Sequence, residues 1–87
     1  MPGLVINSLL REIISANGYE IPETDCLHLS ADSVRNLISE FDARYPGTAV
    51  SLWAAAIAID GEIYISAFAE SLQPDSEVVF IPALEGG

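Results

Sequence analysis

Glu77-Val78-Val79-Phe80-Ile81-Pro82-Ala83-Leu84-Glu85-Gly86-Gly87 closes the 87-residue sequence. Residues 77–81 are a dense apolar run rich in β-formers, too apolar for a wet edge, so they predict a central strand. Pro82 ends that strand, because its ring removes a backbone donor. Nothing after Leu84 adds to a core. The two glycines make a thin, conformationally free end that fits a channel where any Cβ would clash. Residues 82–87 are therefore expected to form a flexible tail on a single domain spanning residues 1–87, reaching at most ~20 Å from the strand end.

A central strand needs partners, and the upstream sequence supplies them. Ala54–Ile59 and Glu62–Ile65 flank Asp60-Gly61, a strong hairpin signal because both turn positions need positive φ. Between hairpin and last strand, Ser66–Ser76 reads as irregular, with a turn at Gln73-Pro74-Asp75-Ser76. Val34, Leu37, Ile38, Phe41 and Tyr45 recur at helical spacing after a capping Ser30 or Asp32, and Tyr45-Pro46-Gly47 stops that helix. At the N-terminus Leu4-Val5-Ile6 reads as a strand to about Asn7. A short helical segment follows, from the stripe Ile6, Leu9, Leu10, Ile13 and Ile14, and stops at Asn17-Gly18. Tyr19–Leu29 reads as a second strand, loosened by Pro22 and by Glu20, Glu23 and Asp25, hence edge or irregular. The order strand, strand, helix, strand, strand, strand predicts an α+β two-layer fold, a mixed sheet with one main helix packed on one face.

Composition narrows the function classes. At 51% hydrophobic residues and a mean hydropathy of +0.38 the chain has ample core material, which excludes disorder. No apolar run approaches the ~20 residues of a membrane helix, and Met1-Pro2-Gly3 does not open a secretory signal. Three arginines and no lysine against thirteen acids give a net charge of −10. Such a chain is repelled by phosphate backbones and anionic lipid, so nucleic-acid and membrane-surface roles fall away and a basic protein partner is expected. One cysteine, Cys26, suits a reducing cytosol. Without lysines, the chain offers no side-chain amine for building chains of itself.

The tail carries the chemistry. A terminal carboxylate is ionised at neutral pH and inert until activated, for instance as a mixed anhydride with an adenylate. The string Asp75–Gly87 resembles the C-terminus of the small subunit of molybdopterin synthase, within the wider family of MoaD- and ThiS-like sulfur carriers. Leu10-Arg11-Glu12 with Asn17-Gly18, the helix ending Ala43-Arg44-Tyr45-Pro46-Gly47, and the Ile57–Tyr64 hairpin resemble the same family in the same order. The resemblance implies a β-grasp (ubiquitin-like) fold. It also implies that the chain is not an enzyme by itself but a carrier or small subunit. Gly87 would be adenylated by a ubiquitin-activating-type enzyme that uses ATP and magnesium and then converted to a thiocarboxylate; the chain itself would bind no cofactor and no metal. The thiocarboxylate would donate sulfur in a partner synthase, in first place the large subunit of molybdopterin synthase. Gly86, Glu85, Leu84, Pro82 and Phe80 would contact partners, in the cytoplasm. Ala83 departs from the family's second proline and Glu85 from its usual small residue, which loosens the link to one pathway. Thiamine or another sulfur-containing metabolite is the alternative recipient.

Two readings of other classes remain: a ubiquitin-like modifier joined through Gly87 to lysines of other proteins, and an interaction module with an idle tail. Elsewhere the chain offers less. Cys26 and His28 at i and i+2 share a strand face but lack a third ligand, so packing is the expected role. No glycine-rich loop precedes a helix, so the chain itself is not expected to bind ATP. Trp53 reads as a packing residue. Glu20, Glu23 and Asp25 form either a docking surface or a solvated face.

Overall fold

Val78 and Phe80 anchor the architecture: both are fully buried, and they alternate with Glu77, Val79 and Ile81 on the other side of their strand. The computed structural model describes residues 1–64 and 69–82. Its elements are β1 (Gly3–Val5), α1 (Ser8–Ala16), β2 (Cys26–His28), α2 (Val34–Arg44), α3 (Ala49–Trp53), β3 (Ala56–Ile59), β4 (Glu62–Tyr64) and β5 (Glu77–Ile81). The five strands form one mixed sheet in the order β2-β1-β5-β3-β4. β5 is thus central, as its apolarity predicts. It runs parallel to β1 (Leu4 opposite Val78) and antiparallel to β3 (Ile57 opposite Phe80). This is the expected α+β, β-grasp arrangement.

The helices lie on one face. Leu10, Ile13 and Ile14 of α1, Leu37, Ile38 and Phe41 of α2 and Leu52 of α3 share one buried cluster with Leu4, Ile57, Ile59, Val78 and Phe80. Asn7 caps α1 by accepting from the Leu10 amide, and Gly18 follows the helix at φ 87°. The hairpin turn has Asp60 at φ 50° and Gly61 at φ 88°, the double positive φ that Asp-Gly was expected to provide. Asp60 also ties the turn to β5: its amide donates to the Glu77 carbonyl and its Oδ1 accepts from the Glu77 amide, both at 2.9 Å.

Three expectations need correction. The second strand is three residues, Cys26–His28, not Tyr19–Leu29; Pro22 and the exposed acids leave residues 19–25 as loop. The cap of α2 is Ser33, whose hydroxyl accepts from the Asn36 amide at 3.1 Å, rather than Ser30 or Asp32. Asp32 instead accepts from the Asn36 side chain at 2.5 Å. The strand expected from Ala54 begins at Ala56, because α3 occupies Ala49–Trp53. Asp42 sets up that short helix by accepting from the Gly47 and Ala49 amides, each at 3.1 Å, at the bend leaving α2. The helical layer therefore holds α1 and α3 beside the expected main helix. Ile65 of the expected hairpin and residues 83–87 of the expected tail lie outside the described residues, as do Ser66, Ala67 and Phe68 of the irregular segment. The turn at the end of that segment is present, with the Ser76 amide donating to the Gln73 carbonyl at 3.1 Å.

Candidate functional site

β5 delivers the chain to Pro82, which is exposed at the end of the sheet. Of the expected site residues, Leu84, Glu85, Gly86 and Gly87 lie outside the described residues. Phe80 is a correction: it is 1% exposed and packs among the helices, so its ring is not a partner-facing surface. The strand's two-residue period is the reason, since Val78 and Phe80 share the core face.

The same period puts Val79 and Ile81 on the opposite face. The register carries that face across the sheet: Ala58 lies opposite Val79 and Ala56 opposite Ile81, while Ile63 lies opposite Ala58. Val5 continues it on β1 by the alternation with buried Leu4. Val5, Ala56, Ala58, Val79 and Ile81 are half-buried and Ile63 is 66% exposed. All three helices pack on the other side, so among the described residues no element covers this apolar face. Sequence reasoning missed it. The signal was present in the apolar residues at both odd and even positions of 77–81, which leaves one face apolar whichever side meets the core.

Charge is divided between the two sides. Arg11 lies on α1, and Arg35 and Arg44 on α2, so every arginine belongs to the helical layer. Arg11 pairs with the exposed Asp25 at 3.1 Å, and the Arg35 guanidinium lies 6.0 Å from the centre of the half-buried Trp53 ring. Glu77 is exposed on the open face and Asp60 at the hairpin turn beside it, whereas Glu62, opposite buried Ile59, lies on the helical side. Glu20 and Glu23 are exposed on the loop before β2.

Cys26 and His28 do share a face, and Gly3 explains their packing. A Cβ on Gly3 would meet Cys26 Sγ at 2.9 Å and His28 Nε2 at 3.7 Å, so both side chains lean over the glycine of the neighbouring strand. Among the described residues, no three His, Cys, Asp or Glu side chains are grouped to hold a metal ion. No described helix is long and apolar enough to cross a membrane.

No protein-family model matches the chain, and neither does any curated protein. Solved structures do. The crystal structure of Mycobacterium tuberculosis CysO, an antigen, is 18% identical over 97% of this chain and all of that one, with a TM-score of 0.73. A chain of the Amycolatopsis orientalis BexX/CysO complex is 14% identical over the whole of both chains, with a TM-score of 0.74. At such identities the likeness is one of fold, and it runs the full length of the chain: this protein is built on the same β-grasp scaffold as those structures.

Proposed function

We propose that this protein is a sulfur carrier, acting in the cytoplasm as a co-substrate or small subunit and not as an enzyme by itself. The observation that carries the reading is the central strand β5, which leads through exposed Pro82 into Ala83-Leu84-Glu85-Gly86-Gly87 on a β-grasp scaffold. The Gly87 carboxylate attacks the α-phosphorus of ATP, supplied with magnesium by a ubiquitin-activating-type enzyme, and pyrophosphate leaves. A sulfide-level donor then attacks the acyl carbon, AMP leaves, and the thiocarboxylate remains. In the partner synthase that sulfur attacks the acceptor, and tethering supplies much of the rate by proximity. Gly86 leaves room for a narrow channel, while Glu85 and Leu84 line the approach.

The partner docks on the open apolar face around Val79, Ile81 and Ile63, bordered by Glu77 and Asp60 and free of arginine. A partner with an apolar patch ringed by Lys and Arg complements it. The determination of a CysO in complex with a second protein, BexX, supports a carrier that works bound to a partner. The C-terminal motif points to the large subunit of molybdopterin synthase as recipient, with a synthase for thiamine or another sulfur-containing metabolite as the alternative.

The test is intact mass of the chain after incubation with an activating enzyme, ATP, magnesium and sulfide. The expected gain equals the exchange of one oxygen for one sulfur, mapped to Gly87 and absent when Gly87 is deleted. No gain across several activating enzymes, with an intact terminus, refutes the carrier. Gly-Gly remnants of this chain on lysines of digested cell protein would replace it with a modifier.

A further inference from the structure

We propose that Asn7 is a positioning residue for the chemistry of the tail, holding β5 in line where the chain leaves the sheet; this rests on the carrier reading above. The β1–β5 ladder sets the geometry. The Gly3 amide donates to the Ser76 carbonyl at 2.8 Å, and the register pairs Gly3 with Glu77 and Leu4 with Val78. A parallel ladder advances two residues on each strand per rung, so residue 7 falls opposite the Phe80 carbonyl. The backbone cannot supply that rung, because β1 ends at Val5 and Asn7 already turns the chain into α1.

The Asn7 side chain supplies it instead. Its Nδ2 donates to the Phe80 carbonyl at 2.7 Å, across 73 residues of sequence, while its Oδ1 accepts from the Leu10 amide at 3.1 Å. One planar amide thus closes the first turn of α1 and extends the sheet by one rung. On the opposite side Phe80 pairs with Ile57 and Ile81 with Ala56. β5 is therefore held from both sides up to Phe80, two residues before Pro82. Among good helix-capping residues only asparagine does this. Aspartate caps but has no N–H and turns a carboxylate oxygen towards the Phe80 carbonyl; serine caps but is too short to reach a second partner. A displaced exit strand shifts the point from which the tail must reach its partner's site, and ~1 Å at a reacting group costs up to ~100-fold in rate.

The experiment compares wild type, Asn7→Asp and Asn7→Ser at a temperature where circular dichroism shows all three folded. Adenylation is followed as pyrophosphate release at varied carrier concentration. Both variants are expected to lose at least about tenfold in kcat with KM nearly unchanged, since the docking face is intact and only alignment is lost. Amide hydrogen exchange of Ile81 is expected to quicken about fivefold in both, as losing one net hydrogen bond implies, with Leu4 unaffected. Wild-type kcat in Asn7→Asp reduces Asn7 to a helix cap and overturns the proposal. So does a fall in activity no larger than the fall in folded fraction. If wild type itself is never adenylated, the carrier reading fails, and unchanged Ile81 exchange would separately refute the anchoring role of Asn7.

Discussion

Tyr64 shows how local charge acts on a single side chain. Its hydroxyl donates to Glu62 Oε2 at 3.1 Å, and its pKa is raised above the ordinary 10.0. The hydrogen bond is the largest cause, followed by the negative charge of Glu62, with burial, Glu70 and Asp60 adding less. The neutral phenol is the form the folded state favours. That contribution is fully present below the unfolded pKa and is lost as pH rises through the folded one. Glu62→Ala is expected to bring Tyr64 back towards its ordinary value. Ultraviolet titration of the phenolate, with Tyr64→Phe subtracted to remove Tyr19 and Tyr45, checks it; an unmoved titration would sink the assignment. Gly3 shows how sterics act at the same scale. The contact of its missing Cβ with Cys26 Sγ explains the Cys26–His28 pair by packing across a bare backbone, without invoking nucleophilic chemistry.

At the scale of the element, β5 has two faces with different work to do. Phe80 is core and Val79 is on the open face, although they are neighbours in an all-apolar run. Phe80→Ala is expected to cost about 3–5 kcal/mol, the usual range for a buried ring. Val79→Thr, which keeps the β-branched shape, is expected to cost under about 1 kcal/mol. Urea unfolding of both variants decides: equal losses would mean that something covers the outer face. Among the helices, α2 was legible from its five-residue apolar stripe, and α1 from its own stripe and Asn17-Gly18. α3 was not, since Ala49-Val50-Ser51-Leu52-Trp53 buries only Leu52 fully and shows no stripe. Its start depends on Asp42, which sits seven residues upstream of Ala49 and reads in sequence as one more solvated acid.

Across the whole molecule, charge imbalance works against the folded state. Ten net negative charges sit on a body with a radius of gyration of 12.0 Å. Spacings within such a body are comparable with the Debye length of ~10 Å at 0.1 M salt, so screening relieves the self-repulsion of the folded state. Raising NaCl from about 10 to 150 mM is therefore expected to raise the melting temperature, as read by circular dichroism, with an unchanged or lower midpoint counting against it. The same screening should slow association with a basic partner, because the acids around the sheet would steer the encounter.

Periodicity and turn chemistry in the sequence determined the strand at 77–81, its central place, the Asp60-Gly61 hairpin, the helix from Val34 and the two-layer α+β plan. These depend on contacts within a few residues, which a sequence displays directly. The Gly-Gly tail was equally plain, and the chemistry proposed for it rests on those residues. Only the tertiary structure decided which side of β5 meets the helices. An apolar run reads the same in either register, and that choice moved Phe80 inward and set Val79 and Ile81 on an open face. The Asn7–Phe80 hydrogen bond was equally hidden. Its two ends are 73 residues apart, and the ladder rung it completes exists only once β1 and β5 lie side by side.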